Sequence, residues 1–258
     1  MSIYNSLKRL SLKITRRLSA ITGVDVFSTI YHGKLRGYKF LANTSDDYFT
    51  TEYERDSFTY VTDVISNKPG SVVYDLGANL GYFSILCSAY GNESKIFAFE
   101  PIPENMRVLC RHLLMNNINN VTPVNLAISD HMGLIDFSAD NRSVSYTYKQ
   151  ASSYYGNRQL KIKVGILSMD SLASHFGFPD PDVIKIDVEG AEFDVLSGGV
   201  EMINRCRPKI LLSTHEAHVK GVEEKCLTFL ENINYSYVKM KNEAGRMNGL
   251  NDFWCTPK

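Results

Sequence analysis

From Ser71 onward the sequence alternates short apolar runs with longer amphipathic stretches, and that alternation leaves few folds open. The runs SVVYD (71–75), KIFAFE (95–100), residues 121–128, VIKID (183–187) and KILLST (209–214) have the length and β-branched content of buried strands. Between them, residues 82–90, 104–116, 191 to about 206 and 222–232 carry apolar side chains at helical spacing. A further helix is predicted from about residue 46 to 67, stopped by Lys68-Pro69-Gly70. Residues 236–241 and 252–256 read as a terminal antiparallel pair. Such alternation implies a mostly parallel sheet with helices on both faces. Right-handed crossovers then place every strand-to-helix loop along one edge, where ligands of such sheets bind. The aromatic, polar stretch at 133–167 interrupts the pattern and is expected to be an inserted β-rich hairpin or cap beside the site, a loop of no defined role being the alternative.

Composition narrows the function classes. Twenty-eight basic and 28 acidic residues cancel, which argues against bulk electrostatic capture of nucleic acid. Cys87, Cys110, Cys206, Cys226 and Cys255 are scattered without a CxxC pair, so reduced thiols in a cytoplasmic protein are expected, with no disulfide framework or zinc site. No run approaches the roughly 20 apolar residues of a membrane span. Residues 1–45 are expected to be a basic amphipathic extension ahead of one domain at 46–258. In that extension Lys8, Arg9, Lys13, Arg16 and Arg17 alternate with Ile3, Leu7, Leu10, Leu12, Ile14 and Leu18, a pattern open to packing on the domain, to fraying or to weak membrane-surface contact.

The chemistry starts at Asp75-Leu-Gly77-Ala-Asn79-Leu-Gly81, directly after the first strand. Gly77 lets the chain turn sharply, and Gly81 is expected to let backbone approach a ligand closely. The loop amides and the next helix N-terminus favour an electron-rich group, while Asp75 can accept from a ligand ammonium. Glu100 ends the second strand, where a carboxylate reaches both hydroxyls of a ribose. Together these point to an adenosine-bearing ligand. Asn79 between only two glycines, an acid at position 75 and the lack of a second nucleotide-binding half favour S-adenosylmethionine over NAD.

The chain resembles the FkbM family of class I methyltransferases in VVYDLGANLGYFS (72–84), FAFEPIPEN (97–105), NLAISDHMG (125–133), SMDSL (168–172) and DVIKIDVEGAEFDVLSG (182–198). The resemblance implies an α/β, Rossmann-like class I sheet of seven strands, the last antiparallel, with S-adenosylmethionine as donor and O-methylation of a sugar or polyketide hydroxyl. It implies that Asp75, Gly77, Asn79 and Gly81 hold the methionine end and Glu100 the ribose. Ala127 and Ile128 would lie near the adenine, and Tyr53 and Glu54 would close over the cofactor. Phe83 and Pro101 flank these positions and complete the expected cofactor contacts.

Methyl transfer from a sulfonium needs in-line alignment and a base for the acceptor hydroxyl. Asp187 ends the fourth strand, Glu189 follows in the next turn, and His215 follows the fifth strand, so these three are the catalytic candidates, Asp187 also touching the cofactor. Were a divalent cation bound, Asp187, Glu189 and Glu192 would be its oxygen ligands; Glu189 and Glu192 are equally explained as acids at a helix N-terminus. Lys185 points away from the cofactor or pairs with a neighbour. The expected partner is a small-molecule or glycan acceptor, without nucleic acid. Protein or RNA methylation and a non-catalytic S-adenosylmethionine-binding module are the rival readings; the Asp187-Val-Glu-Gly turn lacks the Asn/Asp-Pro-Pro-aromatic sequence of many N-methylating enzymes.

Overall fold

The computed structural model describes residues 11–12, 14–15, 25–42, 49, 55–140, 159–240 and 249–258. In chain order the elements are β1 (Phe27–Thr29), β2 (Lys39–Leu41), α1 (Arg55–Asn67), β3 (Val72–Leu76), α2 (Tyr82–Tyr90), β4 (Lys95–Phe99), α3 (Pro103–Met115), β5 (Val121–Val124), β6 (Ala127–Ser129), β7 (Gly133–Asp140) and β8 (Gln159–Ser168). There follow α4 (Met169–Phe176), β9 (Val183–Ile186), α5 (Glu192–Ser197), α6 (Val200–Cys206), β10 (Lys209–His215), α7 (Val222–Asn232), β11 (Tyr235–Lys239) and β12 (Leu250–Pro257).

The main sheet has seven strands in the order β11-β12-β10-β9-β3-β4-β5. Strands β5, β4, β3, β9 and β10 run parallel, and the last strand, β12, is antiparallel to both its neighbours, as the resemblance implies. The central strands are near-continuous apolar runs because helices cover both faces. Val73, Ile96 and Leu211 face α1, α2 and α3, whereas Tyr74, Ile184 and Leu212 face α4 to α7. Two charged residues break this rule in register: Asp75 of β3 lies directly beside Lys185 of β9.

Four sequence expectations need correction. Residues 121–128 are two strands. β5 is an edge strand carrying Pro123, which has no N–H to donate. The chain then leaves the sheet at Asn125, whose side chain donates to the carbonyls of Glu100 (2.8 Å) and Pro101 (3.1 Å). β6 pairs instead with β8 in a second, three-stranded sheet. The helix expected over 191–206 is broken at Gly198-Gly199, where a Cβ would collide with the Ser129 carbonyl and with the Met169 side chain. Its second half starts afresh because Asp170 accepts from the amides of Met202 (2.7 Å) and Glu201 (3.2 Å). Helix α4 is not among the expected elements, although Ser168 caps it by accepting from the Ser171 amide (3.1 Å) and Gly177 ends it at φ 67°. Nor is the β1–β2 hairpin, which is stitched to α3: the Leu41 amide donates to His112 (2.9 Å), and Asn116 exchanges hydrogen bonds with the backbone of Lys39.

The expected insertion is a hairpin in its described arms, β7 and β8, antiparallel from Gly133↔Ile166 to Asp140↔Gln159. Its aromatic middle, with Tyr146, Tyr148, Tyr154 and Tyr155, lies outside the described residues, as do most of the basic N-terminal stretch and the start of the expected 46–67 helix. Among the described residues, no helix is long and apolar enough to cross a membrane.

Candidate active site

The carboxyl ends of β3, β4 and β9 open into a cleft closed on one side by β6 and β7. Its free space, counted together with its open mouth, is about 990 Å³. Of the expected cofactor contacts, Gly77, Asn79, Phe83, Glu100, Pro101, Ala127, Ile128 and Asp187 line it. Phe58, Ile102, Asn105, Ile135 and Phe137 line it as well and were not foreseen. Tyr53 and Glu54 lie outside the described residues.

Gly77 joins the two halves of the cleft. At φ 81° it turns the chain off β3, and a Cβ there would collide with the Asp187 carbonyl oxygen. The Gly77 and Ala78 amides are both taken by the Phe99 carbonyl (3.0 and 2.9 Å), which pins the loop over β4. Gly81 is a correction: it does not line the cleft, and its φ of 86° and the Leu109 side chain, 2.9 Å from where its Cβ would be, make it a packing glycine between α2 and α3.

Glu100 stands at the rim with its carboxylate held by three donors: the Asn79 amide (2.8 Å), the Ile102 amide (2.9 Å) and the Asn105 side chain (3.3 Å). Burial pushes its carboxyl up to about 7, although those hydrogen bonds pull the other way. Beside it, Asn79 Oδ1 is buried with no hydrogen-bond partner, an orphan acceptor at the cleft wall that a ligand donor would satisfy. A buried acid and an orphan acceptor flanking a glycine turn fit the ribose and methionine ends of S-adenosylmethionine.

Asp75 is the second correction. It is wholly buried below the loop; Ser84 donates to its Oδ2 (2.6 Å), and Lys185 Nζ lies 3.3 Å from Oδ1. It therefore supports the site from behind and does not meet a ligand ammonium directly. Lys185, in turn, points into the site. Its ammonium lies 3.1 Å from Asp187 and 3.4 Å from the Gly77 carbonyl, and it sits over the Phe83 ring at 5.5 Å.

Asp187 and Glu189 reach the cleft with side chains 30% and 29% exposed, whereas His215 beneath them is only 6% exposed. His215 Nε2 lies 3.5 Å from Asp187 and 3.4 Å from Glu189, and its Nδ1 donates to Glu192 at 2.6 Å. Burial alone would drive this ring toward neutrality; the Glu192 hydrogen bond and the charges of Glu189, Asp187 and Glu192 overcome it and lift His215 to about 9. The expectation of His215 as a base near neutral pH meets a ring that its carboxylate neighbours draw toward the charged form and that contacts Asp187 and Glu189 from beneath. His218, three residues on, stacks on it at 5.4 Å and brings Nδ1 to 3.1 Å from Glu189 without hydrogen-bond alignment. The His-x-x-His spacing after β10 was the unused signal. Glu192 turns inward to His215 and the Gly190 amide, so it does not complete an oxygen triad with Asp187 and Glu189. Among the described residues, no group of three or more His, Cys, Asp or Glu side chains is arranged to hold a metal ion.

Residues 75–237 match the methyltransferase FkbM domain family. The chain is 30% identical over 182 residues to the hexuronic acid methyltransferase AglP of Haloferax volcanii, covering 70% of this chain and 68% of that one. It is also 30% identical over 152 residues to the 2-O-methyltransferase NoeI of Sinorhizobium fredii, covering 54% of this chain and 62% of that one. Among solved structures, methyltransferase FkbM from Methylobacillus flagellatus superposes with a TM-score of 0.51 at 16% identity, covering 72% of this chain and 43% of that one, a likeness of fold.

Proposed function

This chain belongs to the methyltransferase FkbM family and is an S-adenosylmethionine-dependent methyltransferase; on that premise we propose that it methylates a hydroxyl of a sugar or glycan. The observation that carries the proposal is the pair of cleft-facing carboxylates, Asp187 and Glu189, set against one wall of the cleft while Glu100 and Asn79 occupy another. The relatives named for hexuronic acid methylation and for 2-O-methylation support an oxygen of a sugar as the acceptor.

S-adenosylmethionine, when bound, supplies a methyl group on a sulfonium and with it the reactivity. The residues supply alignment and proton removal. Glu100 accepts from the ribose hydroxyls, and Asn79 Oδ1 takes a donor from the methionine end. Ala127, Ile128, Ile135 and Phe137 give the adenine an apolar wall. Asp187 or Glu189 accepts the acceptor's hydroxyl proton at a carboxylate oxygen, which would leave the hydroxyl's own oxygen able to take the methyl group as the sulfur of a bound S-adenosylmethionine departs with the C–S bonding pair. Lys185 and His215 hold these two acids in place from below. Because Glu192 is committed to His215, we assign no metal to this step, and a chelator is expected to leave the rate unchanged.

The test is formation of S-adenosylhomocysteine with purified protein and panels of neutral sugars, uronic acids, polyketide-like alcohols, peptides and RNA. Turnover that needs a sugar hydroxyl supports the reading. Turnover only with peptide or RNA, or cofactor binding with no turnover on any acceptor, contradicts it.

A further inference from the structure

The turn between β9 and α5 is unusual in that two consecutive residues, Glu189 (φ 57°) and Gly190 (φ 111°), have left-handed backbone. For Glu189 that conformation is unfavourable and needs outside support. One atom supplies it. Glu192 Oε1 accepts both the Gly190 amide (2.9 Å) and His215 Nδ1 (2.6 Å). Glu192 is 0% exposed, and its Oε2 is buried with no hydrogen-bond partner. A fully buried acid with one oxygen left unsatisfied is not explained as a favourable charge on a six-residue helix, where solvent would serve it better. The far side of the His215 ring meets Asp187 (3.5 Å) and Glu189 (3.4 Å), and His218 stacks on its face. These are the titratable groups around the ring, and they form a line from buried acid to imidazole to the two acids in the cleft.

We propose that Glu192 is the positioning residue of the acceptor half of the site: one carboxylate oxygen fixes the His215 ring and the Gly190 peptide together, and through them the places of Asp187 and Glu189. It touches neither cofactor nor acceptor. The proposal rests on the reading above that Asp187 and Glu189 face the acceptor hydroxyl.

Glu192→Gln keeps the volume and an oxygen able to accept both donors but removes the negative charge, so the charge-assisted bond to His215 Nδ1 becomes a weaker neutral one. The expected result is a kcat roughly 10- to 100-fold lower with S-adenosylmethionine affinity within about twofold of wild type, because the weakened contact serves only the acceptor half. His215→Gln should lose a similar factor, and the double variant should be no worse than the worse single, since both break one connection. A kcat at the wild-type level in Glu192→Gln, or losses that multiply in the double variant, would overturn the proposal. Folding is checked by circular dichroism. Should Glu192→Gln not fold, the wild-type protein still decides: a strongly hydrogen-bonded His215 Nδ1 proton must be present far downfield in its NMR spectrum, and its absence overturns the proposal. Failure of the functional reading is seen separately, as wild-type protein that transfers no methyl to any sugar.

Discussion

Two buried histidines, His112 and His215, stand behind the two halves of the cleft and are pushed in opposite directions, the first toward its neutral form and the second toward its charged one. His112 is wedged between the Leu80 carbonyl, to which its Nδ1 donates (2.8 Å), and the Leu41 amide, which donates to its Nε2 (2.9 Å). Its partners are backbone dipoles, so burial prevails and pushes it down to about 4 despite the Leu80 hydrogen bond. His215 is just as buried, but its partners are three carboxylates, and it rises to about 9. The cofactor half is thus held by neutral backbone bonding and glycine geometry. The acceptor half is held by a chain of alternating charges, Asp75, Lys185, Asp187, His215 and Glu192. A polar framework of backbone bonds is insensitive to charge removal at any one point. A charge chain is not, because each member neutralises the next.

The sharpest way to break that comparison is Lys185→Met. It strands Asp75, which is wholly buried, and should cost about 3–5 kcal/mol in urea unfolding. Adding Asp75→Asn should recover much of that loss, since the uncompensated charge disappears. If the single change is neutral, the chain of charges does not support the acceptor half. Next in size, Gly77→Ala should cost roughly 2–4 kcal/mol and abolish cofactor binding by calorimetry, because the new Cβ meets backbone at Asp187. Gly81→Ala meets only the Leu109 side chain and should cost less, about 1–2 kcal/mol, with binding retained.

The two histidines give opposite pH signatures of comparable size. His112 binds its proton less readily folded (about 4) than unfolded (6.5), so its contribution is full above pH 6.5 and is lost as pH falls toward 4, up to about 3 kcal/mol. His215 binds its proton more readily folded (about 9), so its contribution is full below pH 6.5 and is lost as pH rises through 9, again up to about 3 kcal/mol. Unfolding free energies across this range, in wild type and in variants lacking each ring, would separate the two slopes. The smallest expected effect is on the cofactor itself. With the Glu100 carboxyl at about 7, S-adenosylmethionine should bind more tightly at pH 8 than at pH 6, by up to roughly tenfold, as the ionised form becomes available to the ribose. A flat profile would remove Glu100 from ribose recognition.

The same division explains what could be read from sequence. Asp75 to Gly81 and Glu100 are local signals, each a residue type at a strand end, and the loop, the rim acid and the class of sheet were legible from them. Even there, proximity was misjudged: Gly81 and Asp75 have the right positions but face Leu109 and Lys185, which no spacing along one strand reveals. The acceptor half depends on register between strands. Asp75 and Lys185 are 110 residues apart in sequence and adjacent only because β3 and β9 pair. A lysine inside a run predicted to be a fully buried strand did demand a partner, and Asp75 was the acid available on a neighbouring strand. The break at Gly198-Gly199 and the departure of the chain at Asn125 were hidden for the same reason, since each is set by contact with a distant carbonyl or side chain.

The most direct test of the whole account is a crystal structure with S-adenosylhomocysteine bound. The account predicts the ribose hydroxyls on Glu100, the amino acid end beside Asn79 over the Gly77 turn, and the sulfur facing Asp187 and Glu189. A ligand seated outside this cleft, or one whose sulfur turns away from those two acids, would contradict it.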